Sequence, residues 1–151
     1  MKLSTKGRHA ITAMMELALR HEKGPVTLAE ISVEQSISVS YLEQLFARLR
    51  NNSLVTGMRG PGGGYCLRRA ANEITIAEIL SAVDDAMPAR RERIPGEEWP
   101  QSIVMWNKLS SHIYDYLNEM TLADAVRQDA TESGNEKPGS PFGSGFQQSA
   151  A

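Results

Sequence analysis

What most constrains this chain is two patterns set close together: an apolar face at helical spacing and, just after it, a glycine-rich stretch between two short apolar runs. Leu42, Leu45, Phe46 and Leu49 fall at i, i+3, i+4 and i+7, the face of a helix that stops near Asn51-Asn52. The stretch 57-GMRGPGGGYCLRR-69 then carries five glycines and one proline. A glycine loop that cradles a nucleotide phosphate leaves a strand and opens a helix. Here the glycines lead instead into Tyr65-Cys66-Leu67, an alternating run of strand formers, and their spacing is that of neither a P-loop nor a dinucleotide fingerprint. Residues 54–58 and 65–67 therefore read as a hairpin with the glycines at its tip.

Two helices precede this pair. Ile11, Met14, Met15 and Ala18 mark one face of a helix running to about Arg20, ended by Gly24-Pro25. Thr27-x-x-Glu30 has capping-box spacing and starts a second helix over 28–35. The polar turn Ser36-Ile37-Ser38 leads directly into the third helix. Two helices joined by so short a turn read as helix-turn-helix, and the hairpin becomes a wing appended to it.

Downstream, Thr75-x-x-Glu78 is another capping box, and Ile76, Ile79, Leu80 and Val83 give a fourth helix to about Ala86. Residues 87–100 hold three prolines and no apolar periodicity, which makes them a loop. From Ser102, the positions Ile103, Trp106, Leu109, Ile113, Tyr116, Leu117 and Met120 recur every three or four residues, a long helix with an apolar stripe. Such a stripe either packs on its own domain or pairs with a copy of itself, and pairing is expected in a DNA-binding chain. Thr121-x-x-Asp124 opens a short last helix to about Gln128, and 131–151, rich in Gly, Ser and Pro, is expected to be a disordered tail. The expected fold is mainly α with a small β-hairpin. It divides into a winged helix-turn-helix domain (1–86), a loop (87–100), a dimerisation helix with a short C-terminal helix (101–130) and the tail.

Charge points the same way. Residues 1–70 hold ten Lys/Arg against five Asp/Glu, whereas the remainder holds six against thirteen. The basic half suits a polyanion such as double-stranded DNA, and the acidic half does not. No apolar run approaches the length of a membrane span and no secretory signal pattern opens the chain, so the expected compartment is the cytoplasm. The only cysteine, Cys66, rules out an internal disulfide and any cluster built on several thiolates of this chain. His9, His21 and His112 have no ligand spacing, and no nucleophile–base pair or carboxylate pair suggests an enzyme.

Tyr41, Glu43 and Gln44 lie opposite the apolar face of the third helix and are the candidate base readers. Gln bonds adenine N6 and N7, and Glu accepts from cytosine N4. Glu43 has a second reading, since Ser40-x-x-Glu43 is itself a capping box. Lys6, Arg8, Ser38, Ser40 and Arg50 are candidate phosphate contacts, which set register without reading sequence. In the wing, Gly60 and Gly62 let the backbone approach a groove, and Arg59 supplies the cation that a narrow minor groove attracts. Cys66 reads as a small packing residue; a reactive thiol would need the help of Arg68 and Arg69.

MKLSTKGRHAITAM at the N-terminus, ISVSYLEQLFARLR over the turn and third helix, RGPGGGY in the wing, ITIAEILSAVD in the fourth helix, the W-x-x-L of the long helix and the later MTLADAV together resemble the Rrf-type winged-helix bacterial transcription regulators, and within them the IscR-like members. The resemblance covers about residues 1–127. It implies a homodimer that places each third helix in a major groove of a promoter operator and each wing in the flanking minor groove. IscR-like members hold an iron–sulfur cluster through three cysteines before the long helix and a histidine at its start. At those places this sequence has Glu92 and Pro100 at the ends of a shorter, cysteine-free loop, and Ile103 in place of the histidine. The expectation is a DNA-binding regulator without metal or cluster. Its alternative is control by a small-molecule or protein effector bound at the loop 87–100 and the acidic C-terminal half.

Overall fold

A computed structural model describes residues 4–85 and 94–132, with side chains to 127. Within them lie six α-helices and one hairpin: α1 (Thr5–Leu19), α2 (Leu28–Gln35), α3 (Val39–Asn51), β1 (Val55–Met58), β2 (Gly64–Leu67), α4 (Ile76–Val83), α5 (Gln101–Glu119) and α6 (Leu122–Glu132). The mainly helical architecture with a small antiparallel hairpin is the one expected. Among the described residues, no helix is long and apolar enough to cross a membrane.

Helix starts follow local side-chain chemistry. Thr27 and Glu30 close a reciprocal capping box, and the Thr27 N–H and hydroxyl, donating to Glu30 over 2.8 and 2.9 Å, hold that carboxyl below its ordinary range. Thr75 and Glu78 close a second reciprocal capping box at the start of α4. At α6, the Thr121 N–H donates to Asp124 over 3.1 Å and the Asp124 N–H returns a bond to the threonine hydroxyl, again lowering the carboxyl's pKa. The last two starts are stitched together: Ile76 N–H donates to Met120 C=O, and Leu122 N–H to Ile74 C=O. One two-residue bridge thus sets α4 and α6 on the same core.

That core is built on α4, where Ile76, Ala77, Ile79, Leu80, Ala82 and Val83 are all buried. Against it lie Leu42, Leu45, Phe46 and Leu49 of α3, the face read from sequence. In α1 the buried residues are Gly7, Ala10, Ala13, Met14 and Leu17, whereas Ile11, Met15 and Ala18 are only partly buried. The expected face was rotated because α1 packs against α2, α4, α6 and β2 at once, so its covered stripe is wider than one four-residue template. The fourth helix stops at Val83 rather than Ala86, since Asp84 turns extended. The last runs on to Glu132, past Gln128 and two residues into the expected tail, because no breaker intervenes before Gly134. The rest of that tail, and residues 86–93 of the loop, lie outside the described residues.

Strands β1 and β2 pair antiparallel, Val55 opposite Leu67 and Met58 opposite Gly64. A third segment joins them, which sequence patterning did not indicate. Val26, between α1 and α2, exchanges both backbone hydrogen bonds with Tyr65, at 3.0 and 2.7 Å. A Cβ on Gly64 would lie 2.5 Å from the Val26 carbonyl oxygen, so glycine is what lets the wing dock this closely.

Candidate nucleic-acid interface

The surface of α3 is divided lengthwise. Leu42, Leu45, Phe46 and Leu49 are buried, and the complementary stripe Ser40, Glu43, Gln44 and Ala47 is exposed. Ala47 was not among the expected readers; its only signal is its place at i+3 and i+4 from Gln44 and Glu43. Its methyl, flanked by polar side chains, matches the apolar contact that proteins make with a thymine methyl.

Ser38, not Ser40, caps this helix: its hydroxyl accepts from the Tyr41 N–H at 3.3 Å. The alternative box between Ser40 and Glu43 therefore does not form. Ser36, left-handed at φ 53°, has already ended α2, and the chain starts its next helix at the first serine available. Glu43 is thereby freed from a structural role, and Ser40 keeps its hydroxyl outward on the exposed stripe.

Tyr41 corrects the sequence reading. It does not project into solvent but is half-buried, packed on the core and edge-on to His9, with ring centroids 5.5 Å apart and planes at 83°. Position 41 borders the buried stripe one turn before Leu45, so the ring folds over α1. The contact clamps the first turns of α1 and α3 together. Lys6 and Arg8, both exposed, then sit on a helix start fixed beside the start of α3.

The cations of the basic half fall into two groups. Arg20 pairs with Glu16, Glu30 and Glu34, and Arg69 with Glu78 at 3.1 Å. The Arg48 guanidinium donates to the Val83 carbonyl at 3.1 Å and to Asp85, tying α3 to the end of α4. Lys6, Arg8, Arg50 and Arg59, the four cations among the expected DNA contacts, are exposed and have no ion pair among the described residues. Lys23 and Arg68 share that condition and were not singled out from sequence. The structure thus separates cations that hold the fold from exposed cations with no ion pair among the described residues.

In the wing, Arg59 directly precedes a tight turn closed by the Gly63 N–H donating to the Gly60 carbonyl at 2.9 Å. Gly60 and Gly62 take φ of 100° and 75°, backbone that a side chain would strain. The wing's root is rigid: Tyr65 packs on Phe46 with ring centroids 4.8 Å apart. Cys66 is half-buried, its Sγ 3.7 Å from Met58 Sδ, and the neighbouring Arg69 is committed to Glu78. His9 is half-buried while His21 and His112 are exposed, and no group of three or more His, Cys, Asp or Glu among the described residues could hold a metal ion.

The expected dimer stripe splits along α5. Leu117 and Met120, expected at the dimer seam, are partly buried against their own core, and Ile113 is half-buried. Asn107, Ser110, Ser111 and Tyr114 share the inward side. Ile103, Trp106, Leu109 and Tyr116 are 37, 60, 47 and 64% exposed, joined by Val104 and Met105.

The family model described as "Rrf2: Iron-dependent Transcriptional regulator" matches residues 3–128. The HTH-type transcriptional regulator IscR of Pectobacterium carotovorum is 49% identical over 130 residues, covering 83% of this chain and 79% of that protein. IscR of Photorhabdus laumondii is 43% identical over 152 residues, covering 95% and 93%. Among solved structures, T. potens IscR superposes with a TM-score of 0.74 at 34% identity, over 88% of this chain and 90% of that one. CymR, the global cysteine regulator of B. subtilis, superposes at 0.72 and 34% identity, over 85% and 98%.

Proposed function

Because this chain belongs to the Rrf2 family and is an IscR-like helix-turn-helix transcriptional regulator rather than an enzyme, we propose that it binds promoter operators as a homodimer, with α3 in the major groove and the wing in the minor groove. The observation that carries this reading is the exposed α3 stripe Ser40, Glu43, Gln44 and Ala47, together with the exposed cations Lys6, Arg8, Arg50 and Arg59, which have no ion pair among the described residues. Polar and apolar groups on one helix face can read base edges, while cations around them neutralise phosphates. Ser38 spends its hydroxyl on the helix cap, so its contribution to a phosphate contact is as a donor or through the backbone.

Arg59→Ala tests the groove assignment. Losing one minor-groove cation per subunit should weaken operator binding on the order of tenfold, or ~0.7 kcal/mol per wing. The loss should be larger on A/T-rich than on G/C-rich flanks, because a narrow A/T groove concentrates negative potential. Fluorescence anisotropy on both flanks measures it, and equal affinities for variant and wild type on both would remove the wing from the minor groove.

We further propose that regulation runs without an iron–sulfur cluster, although the family description is iron-dependent. The donor set does not fit one. The chain's single thiol, Cys66, lies in the wing beside Met58, while Pro100 and Ile103 at the start of α5 offer neither thiolate nor imidazole. Glu92 lies outside the described residues. Such clusters are held by about four thiolate or imidazole donors. Protein purified from iron-replete cells should be colourless and bind its operator equally with and without oxygen. A stoichiometric charge-transfer spectrum would refute this.

A further inference from the structure

We propose that the cavity between the C-terminal end of α1, the base of the wing and α6 binds a small aryl-alkyl amine that lowers operator affinity, an inference that rests on the DNA-binding reading above. The cavity measures about 420 Å³, with walls from Ala18 and Leu19 of α1, Leu67 at the end of β2, Ala71 and Val126 of α6. Small-molecule sites fall at about 300–1,000 Å³ and are mostly apolar with a few polar groups that fix orientation. Alanines leave this space open, and Leu19, at the end of a packed helix, offers apolar surface that is 55% exposed.

The mouth selects the charge. Glu22 and His21 lie there, both exposed and without an ion pair among the described residues. Among the described residues, no lysine or arginine lines the cavity, although residues 1–70 carry ten of them against five acidic residues. An anionic ligand would meet the Glu22 carboxylate with no lysine or arginine among the described lining residues. An ammonium on a short alkyl arm would pair with Glu22 while its aryl group occupied the apolar wall.

Position gives the site a consequence. Leu67 pairs with Val55, and the Arg68 N–H donates to the Leu54 carbonyl at 3.1 Å, so this wall is the root of the DNA-contacting wing. The opposite wall, Val126, belongs to α6, which begins directly after the proposed dimer helix. A ligand between them touches both bodies whose relative placement sets how two wings meet one operator. An amine held between them favours the placement whose cavity fits it; against an operator that requires another placement, operator and amine weaken each other by the same factor.

The experiment titrates the full-length wild-type protein with 2-phenylethylamine, following backbone amide resonances by NMR and operator affinity by anisotropy at fixed ionic strength. Saturable shifts are expected at Leu19, Leu67 and Ala71, with operator affinity falling about fivefold at saturation, the low end of ordinary coupling. The anion 3-phenylpropionate, of similar apolar body, should not bind, and Glu22→Gln should weaken the amine about tenfold by removing its charge-assisted hydrogen bond. Ala71→Leu should fill the cavity and abolish amine binding while leaving amine-free operator affinity unchanged. Should it fail to fold, Ala70→Leu at the exposed neighbouring position makes the same test. Absence of saturable shifts, equal binding of the anion, or undiminished binding by the filled variants overturns the site. Amine binding with unaltered operator affinity overturns its regulatory role. A protein that binds no operator even without amine fails the DNA-binding reading instead, whatever the NMR shows.

Discussion

Phe46→Ala should cost about 3–5 kcal/mol of stability, the usual loss when a buried phenylalanine leaves a cavity. Phe46 is fully buried on the core side of α3 and packs on Tyr65 of the wing, so one ring supports both proposed DNA-contacting elements. Against an ordinary domain stability of about 5–15 kcal/mol, this is a large fraction, and the melting temperature should fall by roughly 10–20 °C. Glu43→Ala, one turn earlier on the opposite face, removes an exposed carboxylate with no ion pair among the described residues. It should leave melting nearly unmoved and relax base preference at one operator position, by about 1–3 kcal/mol between right and wrong base. Calorimetry at one protein concentration separates the two. A Phe46→Ala protein that melts within about 2 °C of wild type would mean that packing on this ring does not hold α3.

That pair of substitutions also marks how far sequence reasoning reaches. The buried face of α3 was legible because four apolar residues at helical spacing admit only one side inward, and the exposed stripe follows by elimination. The boxes at Thr27, Thr75 and Thr121 were legible because a cap is chemistry within four residues. Ser38 and Ser40 show the limit of that rule: both can start a helix, and the choice falls to where α2 ends. Tyr41 was misread because a residue at the edge of a stripe goes whichever way a neighbouring helix allows, and His9 of α1 is 32 positions away. Arg48 and the Val26–Tyr65 pairing escaped notice for the same reason. Each depends on a backbone group brought near by the fold and carries no local signal. The cavity at the wing's base is a product of three elements meeting and had no trace in the chain's patterning.

The stripe on α5 was legible as apolar but not as free, and the structure now tells the two apart. Leu117 and Met120 are partly buried against their own core, so charging them would disturb the protomer as well as any interface. Leu109 and Trp106 stand 47 and 60% exposed, so an aspartate there costs an isolated protomer little. In a two-fold interface each substitution appears twice on the same patch, and two carboxylates would be buried without partners. Breaking buried polar balance in this way costs several kcal/mol per charge, enough to split a dimer of ordinary affinity. Leu109→Asp should therefore sediment as a folded monomer with a near-native melting profile. A monomer carries one α3 and one wing. It should lose about half of its phosphate contacts, and with them half the slope of log affinity against log salt, which runs at about −0.9 per neutralised phosphate. It should also fall from specific toward non-specific affinity, a loss on the order of 10³-fold or more. Sedimentation, salt slope and operator preference must change together, because all three follow from the number of half-sites engaged. If Leu109→Asp stays dimeric with its slope intact, the exposed face of α5 is not the seam, and the two-half-site arrangement would have to rest on another surface of the molecule.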